Sequence, residues 1–431
     1  MTGDARDTIF ALSSGSLPAA VGVIRVSGPR AAAALEAIAG KVPEPRRAVL
    51  SLLRKPSSGE VIDGALILFF PGPRSETGED LAEFQIHGGR AIAVALLAEL
   101  AALPGLRPAE PGEFTRRAFE NGKIDLTTVE GLSDLVFAET EAQRRAAVGI
   151  AGGLLRRRIE AWQDRLLELA AQVEAALDFS DEGDVGEERP AGWNDRLVAL
   201  LADMSDMLAR PMSERLRDGI KVVIAGPPNA GKSTLLNALS GRDAAITSEI
   251  PGTTRDVLEA PTGIAGIPFV LTDTAGLRSS TDAIEAIGVE RAHGRLAEAD
   301  IILWLDAPDR CPDRSRAIIL ESKADIRDRR AQDVDLNLSP VTGEGMDRLI
   351  ELLLERARAL LPREGEMALN ARQREMVAAC RDSLIEARDT SDLLLVGEAL
   401  RQARVALDRV TGRAGVEDML DALFGRFCVG K

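Results

Sequence analysis

The stretch Lys221-Val-Val-Ile-Ala-Gly226-Pro-Pro-Asn229-Ala230-Gly231-Lys232-Ser233-Thr234 holds the residues best suited to chemistry: an apolar strand, a G-x-x-x-x-G-K-S turn, and a helix opening at Leu235. Glycines in such a turn let successive backbone N–H groups face phosphate oxygens. Lys232 reaches the terminal phosphates, and the Ser233 hydroxyl can ligate Mg²⁺. The strand before it and the helix after it disfavour a chance glycine-rich turn. Downstream, Gly252-Thr253-Thr254-Arg-Asp256 supplies a second Mg²⁺ ligand at Thr254. The run Phe269-Val-Leu-Thr-Asp273-Thr274-Ala275-Gly276 is a strand ending in aspartate, with a glycine placed for the γ-phosphate. Loops of this kind are ordered by the γ-phosphate and Mg²⁺ and released on hydrolysis, so the pattern is a GTP switch rather than an ATPase or metabolite kinase.

Base choice falls to Ile319-Leu-Glu-Ser322-Lys323-Ala-Asp325, an N-K-x-D-like segment after a strand. Asp325 can accept hydrogen bonds from guanine N1 and the exocyclic amine. Ser322 stands where asparagine is usual, which shortens a contact to the base and to the neighbouring loop. In the next loop, Ser339-Pro340-Val341, Pro340 removes a backbone N–H that could have served the base. Both departures predict guanine preference with reduced affinity.

These segments need a scaffold, and 431 residues with 45% hydrophobic content are enough for about three folded domains. The balance of 53 basic and 68 acidic residues, net −15, argues against broad adhesion to nucleic acid or anionic membrane, so any RNA contact is local. The first 120 residues carry 13 basic against 14 acidic side chains, so most of the acidity lies further on, including the run from Asp178 to Pro190 that reads as a solvated connection. Three widely spaced cysteines, Cys311, Cys380 and Cys428, offer neither a disulfide framework nor zinc-ligand spacing. The N-terminus is polar, and no stretch nears the ~18 apolar residues of a spanning helix. A cytoplasmic chain with no membrane segment is expected.

Up to about residue 118 short apolar runs alternate with turn residues: Ala20–Val26, Val61–Phe70 and Phe84–His87 read as strands, and 91–102 as a helix. From Thr127 the spacing becomes helical, with Leu166, Leu169, Ala170, Val173 and Leu177 on one face. That pattern breaks after about residue 215 and resumes from Ala371. The expectation is an α/β and α+β multidomain chain: an α+β domain over 1–118, a helical domain in two parts over 119–216 and 365–431, and a Ras-like P-loop domain over 217–364 inserted between them. There is no internal repeat.

Beyond the nucleotide motifs, Gly22-Val-Ile-Arg25-Val-Ser-Gly28-Pro29, Thr77-Gly-Glu-Asp80-Leu-Ala-Glu83 with His87-Gly-Gly89, Gly112-Glu-Phe-Thr-Arg-Arg-Ala-Phe119 with Asn121-Gly-Lys123, and the terminal Phe427-Cys428-Val-Gly-Lys431 stand in order along the chain. With the P-loop between them, the sequence resembles the MnmE (TrmE) family of bacterial tRNA modification GTPases over nearly its whole length. The resemblance implies that the N-terminal domain dimerises and binds 5-formyltetrahydrofolate or a related reduced folate through Arg25, Glu83 and Lys123, with Lys431 reaching the same region. A carboxylate suits a pterin's amino-pyrimidinone edge, and Arg and Lys suit a folate's glutamate tail. Without the family pattern these would read as surface ion-pair residues. The loop Ser13–Ala20 departs from the family's Pro-Gly-Arg-Gly-Gly-like text.

The family pairs its GTPase domains face to face around K⁺ in place of an arginine finger. The resemblance puts that ion's ligands on Asn229, Ser248, Ile250 and Thr253, within Ser248-Glu249-Ile250-Pro251-Gly252-Thr253. It makes Glu285 the carboxylate that orients the attacking water, where chemistry alone reads an exposed acid near the start of a helix over 284–296. Cys428 is a family candidate nucleophile, though by chemistry a small buried apolar residue fits as well. His87 reads as structural and His293 as a helix-surface residue. The family acts on the C5 position of the wobble uridine of certain tRNAs, adding a carboxymethylaminomethyl or aminomethyl group together with the FAD-dependent partner MnmG (GidA) in a heterotetramer or larger complex. An RNA-binding GTPase switch in ribosome assembly or translation is the alternative from another class; no KH-like Gly-x-x-Gly clamp or tandem GTPase domain supports it.

Overall fold

The computed structural model describes residues 7–180, 189, 191–241, 259–273, 294–326, 333–363, 365–414, 417–425, 427 and 429–430. Two compact units result, Met1–Ser133 with Thr411–Lys431, and Asp134–Val410.

The first unit is built on six strands: β1 (Thr8–Leu12), β2 (Ala19–Ser27), β3 (Val49–Arg54), β4 (Val61–Phe70), β5 (Leu81–Gly88) and β6 (Leu106–Pro108). Their spatial order is β3-β4-β5-β2-β1-β6, antiparallel except for the parallel β1–β6 pair. Alternation sets the faces: Ile24, Val26, Phe84 and Ile86 turn inward with Phe10 and Ile67, and Arg25 and Glu83 fall on the other side. The helices Ala31–Ala39 and Arg90–Ala102 contribute Ala34, Leu35, Ile38, Leu96 and Leu100 to the same core.

The helix Glu417–Phe424 also belongs to this compact unit. The physical reason is an apolar cluster of Val129, Phe424 and Phe427 against Phe119 and Ile124, with the Phe119 and Phe424 rings 6.4 Å apart. Arg116 lies over the Phe424 ring at 5.2 Å and pairs with Asp421 at 2.6 Å. Val429 then bridges antiparallel to Pro111.

The second unit holds a sheet of β7 (Ile220–Ala225), β8 (Glu259–Ile264), β9 (Ile267–Asp273), β10 (Ile301–Trp304), β11 (Ala317–Glu321) and β12 (Leu336–Asn337), ordered β12-β11-β10-β7-β9-β8. Only β8 runs antiparallel to its neighbour. Both faces are covered, one by Leu235, Leu239, Leu349 and Leu353 and the other in the cluster of Val223, Ala225, Ile302 and Ile319, which explains why its central strands read as unbroken apolar runs.

The two separated stretches of helical text do pack together. Leu154–Ser180 and Trp193–Ala209 share one core with Ala371–Asp389 and Leu393–Thr411, centred on Trp162, Trp193, Leu200, Met204, Val377 and Leu400. Polar ends are satisfied inside it: the Trp162 indole donates to Asp203 at 2.9 Å and the Trp193 indole to the Leu169 carbonyl at 3.1 Å. The helix Glu141–Ala151 ties this bundle to the sheet: the Ala142 N–H donates to the Gly266 carbonyl in the β8–β9 turn at 3.3 Å, and Gln143 Nε2 to the Arg217 carbonyl at 2.8 Å.

Candidate functional site: a phosphate-binding loop beside a strand-end aspartate

The parallel order of β7 and β9 sets Ile224 beside Asp273, so the loop after β7 and the end of β9 open on the same edge of the sheet. This is where open α/β sheets bind ligands. The loop turns on residues that tolerate positive φ. Gly226 has φ 153° and its absent Cβ would lie 2.9 Å from the Leu305 carbonyl oxygen; Asn229 has φ 61° and Gly231 φ 95°. The helix Lys232–Ser240 starts immediately, aiming its unpaired N–H groups at the loop.

Lys232 Nζ donates to the carbonyls of Gly226 at 3.0 Å and Pro227 at 2.8 Å, so the buried ammonium spans the turn it serves. Ser233 Oγ donates to Asp273 Oδ2 at 2.6 Å. A hydroxyl and a carboxylate so placed are the hard oxygen donors that Mg²⁺ requires. Thr234 follows them, exposed, on the first turn of the helix.

From the other side, β11 delivers Ser322 and Lys323. Ser322 Oγ donates to the Ala230 carbonyl, and Lys323 Nζ to the Asn229 carbonyl at 2.8 Å. The contact expected to weaken at Ser322 is therefore kept on its loop-bracing side. Asp325 is exposed two residues beyond. The Ala324 N–H donates to the Leu338 carbonyl at 3.1 Å, joining this loop to the next, where buried Ser339 accepts from the Thr342 N–H at 3.3 Å. Pro340 is half-buried and Val341 is 77% exposed. Ser248, Glu249, Ile250, Pro251, Gly252, Thr253, Thr254, Thr274, Ala275, Gly276, Glu285 and His293 lie outside the described residues.

A second polar site occupies the outward face of the first unit's sheet. Arg25 and Glu83 are register partners on β2 and β5, and Arg25 Nε donates to Glu83 Oε1 at 2.9 Å while its Nη1 meets Glu76 Oε2 at 3.1 Å. Lys123 is exposed, its Cε 3.2 Å from the Cβ position of Gly78 in the loop before β5. Lys431 and Cys428 lie outside the described residues. Of the other cysteines, Cys311 is half-buried, and burial pushes the Cys380 thiol up to about 12, which keeps it protonated and unreactive.

Sequence reasoning missed a chain of buried polar groups below that face. Ser27 Oγ lies 2.7 Å from Thr77 Oγ1 and donates to Glu79 at 2.8 Å. Arg117 reaches Glu79 at 3.0 Å and Glu113 at 3.0 Å, and Glu113 also takes two bonds from Arg107, at 2.9 and 2.6 Å. This network holds the loop that carries Thr77, Gly78 and Glu79 against the sheet. The i, i+4 spacing of Glu113 and Arg117 on one helix was the available signal.

Known proteins are similar to this chain over nearly its whole length. Residues 126–428 match the family model described as the MnmE helical domain, and residues 8–123 match that of the GTP-binding protein TrmE N-terminus. A tRNA modification GTPase MnmE from Rhizorhabdus wittichii is 56% identical over 430 residues, covering 99% of this chain and 97% of its own. The chain belongs to the MnmE family of tRNA modification GTPases. A second member, from Erythrobacter litoralis, is 55% identical over 428 residues, covering 99% of this chain and all of its own. The G domain of the FeoB iron transporter of T. maritima aligns with 32% of this chain and 98% of its own, at 25% identity and a TM-score of 0.23, a likeness that adds nothing to the assignment. No described helix is long and apolar enough to cross a membrane.

Proposed function

We propose that this chain hydrolyses GTP to drive modification of C5 of the wobble uridine in certain tRNAs, acting as a homodimer with the FAD-dependent partner MnmG and a reduced folate as one-carbon donor. The observation that carries the reading is the Ser233–Asp273 contact at 2.6 Å inside a loop braced by Ser322 and Lys323, in a chain of this family.

Backbone N–H groups of the loop and of the first turn of the following helix bind the β- and γ-phosphates, and Lys232 shifts its ammonium from the Gly226 and Pro227 carbonyls onto their oxygens. Ser233 and Thr254 would hold Mg²⁺, with Asp273 fixing the Ser233 hydroxyl from behind. Mg²⁺ neutralises charge on the β- and γ-oxygens when bound. Asn229, with Ser248, Ile250 and Thr253, would hold K⁺; a neutral amide oxygen is the hard donor such an ion takes. Held there, K⁺ would supply the positive charge that an arginine finger otherwise provides. Glu285 would orient the attacking water through a second water.

On the first unit, the Glu83 carboxylate would face the amino-pyrimidinone edge of the folate, with Arg25 fixing its orientation, while Lys123 and Lys431 would take the glutamate tail. The folate supplies the one-carbon unit. Cys428 would serve the modification step as a secondary functional group.

The test is nucleoside analysis of bulk tRNA by mass spectrometry from cells lacking this chain, complemented with the wild type or with Lys232→Ala. Wild type restores the C5-modified wobble uridine and Lys232→Ala does not. Full modification without the chain would overturn the reading in favour of a GTPase switch with another RNA task.

A further inference from the structure

We infer that Ser322 removes purine N7 from the set of atoms this site recognises, leaving guanine selection to the Watson–Crick edge at Asp325. The inference rests on the GTP reading and concerns how this chain, with its own residue at 322, reads the base.

A serine hydroxyl carries one proton, so it can donate a single hydrogen bond. In this structure Ser322 Oγ spends that proton on the Ala230 carbonyl, inside a nearly closed environment in which Ser322 is 6% exposed. The same oxygen lies 3.4 Å from the Cβ position of Gly231, so the hydroxyl is held against the phosphate loop. Lys323 Nζ is committed in the same direction, on the Asn229 carbonyl at 2.8 Å. The two side chains that begin the base loop therefore tie that loop to the phosphate loop.

A nucleotide in the anti conformation turns the imidazole edge of its purine back toward its own phosphates, and hence toward this junction. N7 on that edge is an acceptor and needs a donor. An asparagine at 322 could give one amide N–H to the Ala230 carbonyl and the other to N7. Serine can do the first only. The brace survives and the base contact is lost, which makes residue 322 a specificity determinant. Asp325 remains the carboxylate for N1 and the exocyclic amine, so guanine over adenine is kept while N7 goes unread.

The experiment is calorimetric titration of the full chain with GDP, 7-deaza-GDP and ADP, in the wild type, Ser322→Asn and Ser322→Ala. In the wild type, GDP and 7-deaza-GDP bind within about twofold of each other and ADP binds far more weakly. Ser322→Asn gains about five- to tenfold for GDP and little for 7-deaza-GDP, the worth of one hydrogen bond. Ser322→Ala loses the brace and weakens GDP and 7-deaza-GDP equally. A wild type that binds GDP well but rejects 7-deaza-GDP by more than fivefold overturns the inference and leaves the GTP reading standing. A wild type that binds ADP as well as GDP, or neither, overturns the GTP reading itself.

Discussion

Ser233 and Asp273, forty residues apart, meet at 2.6 Å because β7 and β9 are parallel neighbours whose C-terminal ends open on the same edge. Asp273 orients the serine oxygen that would ligate Mg²⁺. Asp273→Asn keeps the shape but loses the charge, so the Mg²⁺ concentration for half-maximal GTP turnover rises about 10- to 100-fold. Turnover titrated against Mg²⁺ in both proteins checks this.

The buried network of the first unit predicts acid sensitivity. Burial alone would push the Glu113 carboxyl up, but the bonds from Arg107, from the Glu110 backbone N–H and from Arg117 outweigh it and hold the group below its ordinary 4.5. The folded chain therefore binds this proton less readily than the unfolded chain does. The resulting stability is fully present above that ordinary value and is lost as pH falls through the lower, folded-state value. Glu113→Gln leaves Arg107 and Arg117 without their shared carboxylate and costs about 3 kcal/mol at neutral pH. Thermal unfolding of this unit against pH should show a shallower acid decline in the variant.

The last residues of the chain supply a steric prediction. Gly430 has φ 98°, and a Cβ there would lie 2.3 Å from the Leu12 carbonyl oxygen. Gly430→Ala must displace the tail from the end of β1, at about 1–3 kcal/mol of local strain. Amide exchange at Val429, which bridges to Pro111, should quicken by tenfold or more while exchange in Ile24 and Phe84 stays slow.

These residues also show what could be read in advance. The phosphate loop was legible because its glycines, lysine and serine sit at invariant offsets between a strand and a helix, so spacing alone implies geometry. The strands Ala19–Ser27 and Val61–Phe70 were legible from apolar content and bounding turn residues, and the bundle from its helical spacing. The Arg107–Glu113–Arg117–Glu79 network was not, since each residue taken alone reads as a surface charge and only the docking of one helix on the sheet buries them. The C-terminal helix reads as the end of the helical domain, but its partners Phe119 and Val129 could not be named in advance, because pairings so distant in sequence leave no periodic trace. At Ser322 the substitution was visible, but which of its two contacts survived depended on how close the phosphate loop comes.

The proposed GTPase mechanism requires K⁺ and the Glu285 carboxylate. The direct measurement is GTP turnover by the purified chain in matched KCl and NaCl, over a range of protein concentrations, beside Glu285→Ala. Turnover should be stimulated strongly by K⁺, rise per molecule with concentration as GTPase domains pair, and fall to the unstimulated level in the variant. Equal rates in the two salts, or a variant as active as the wild type, would contradict it.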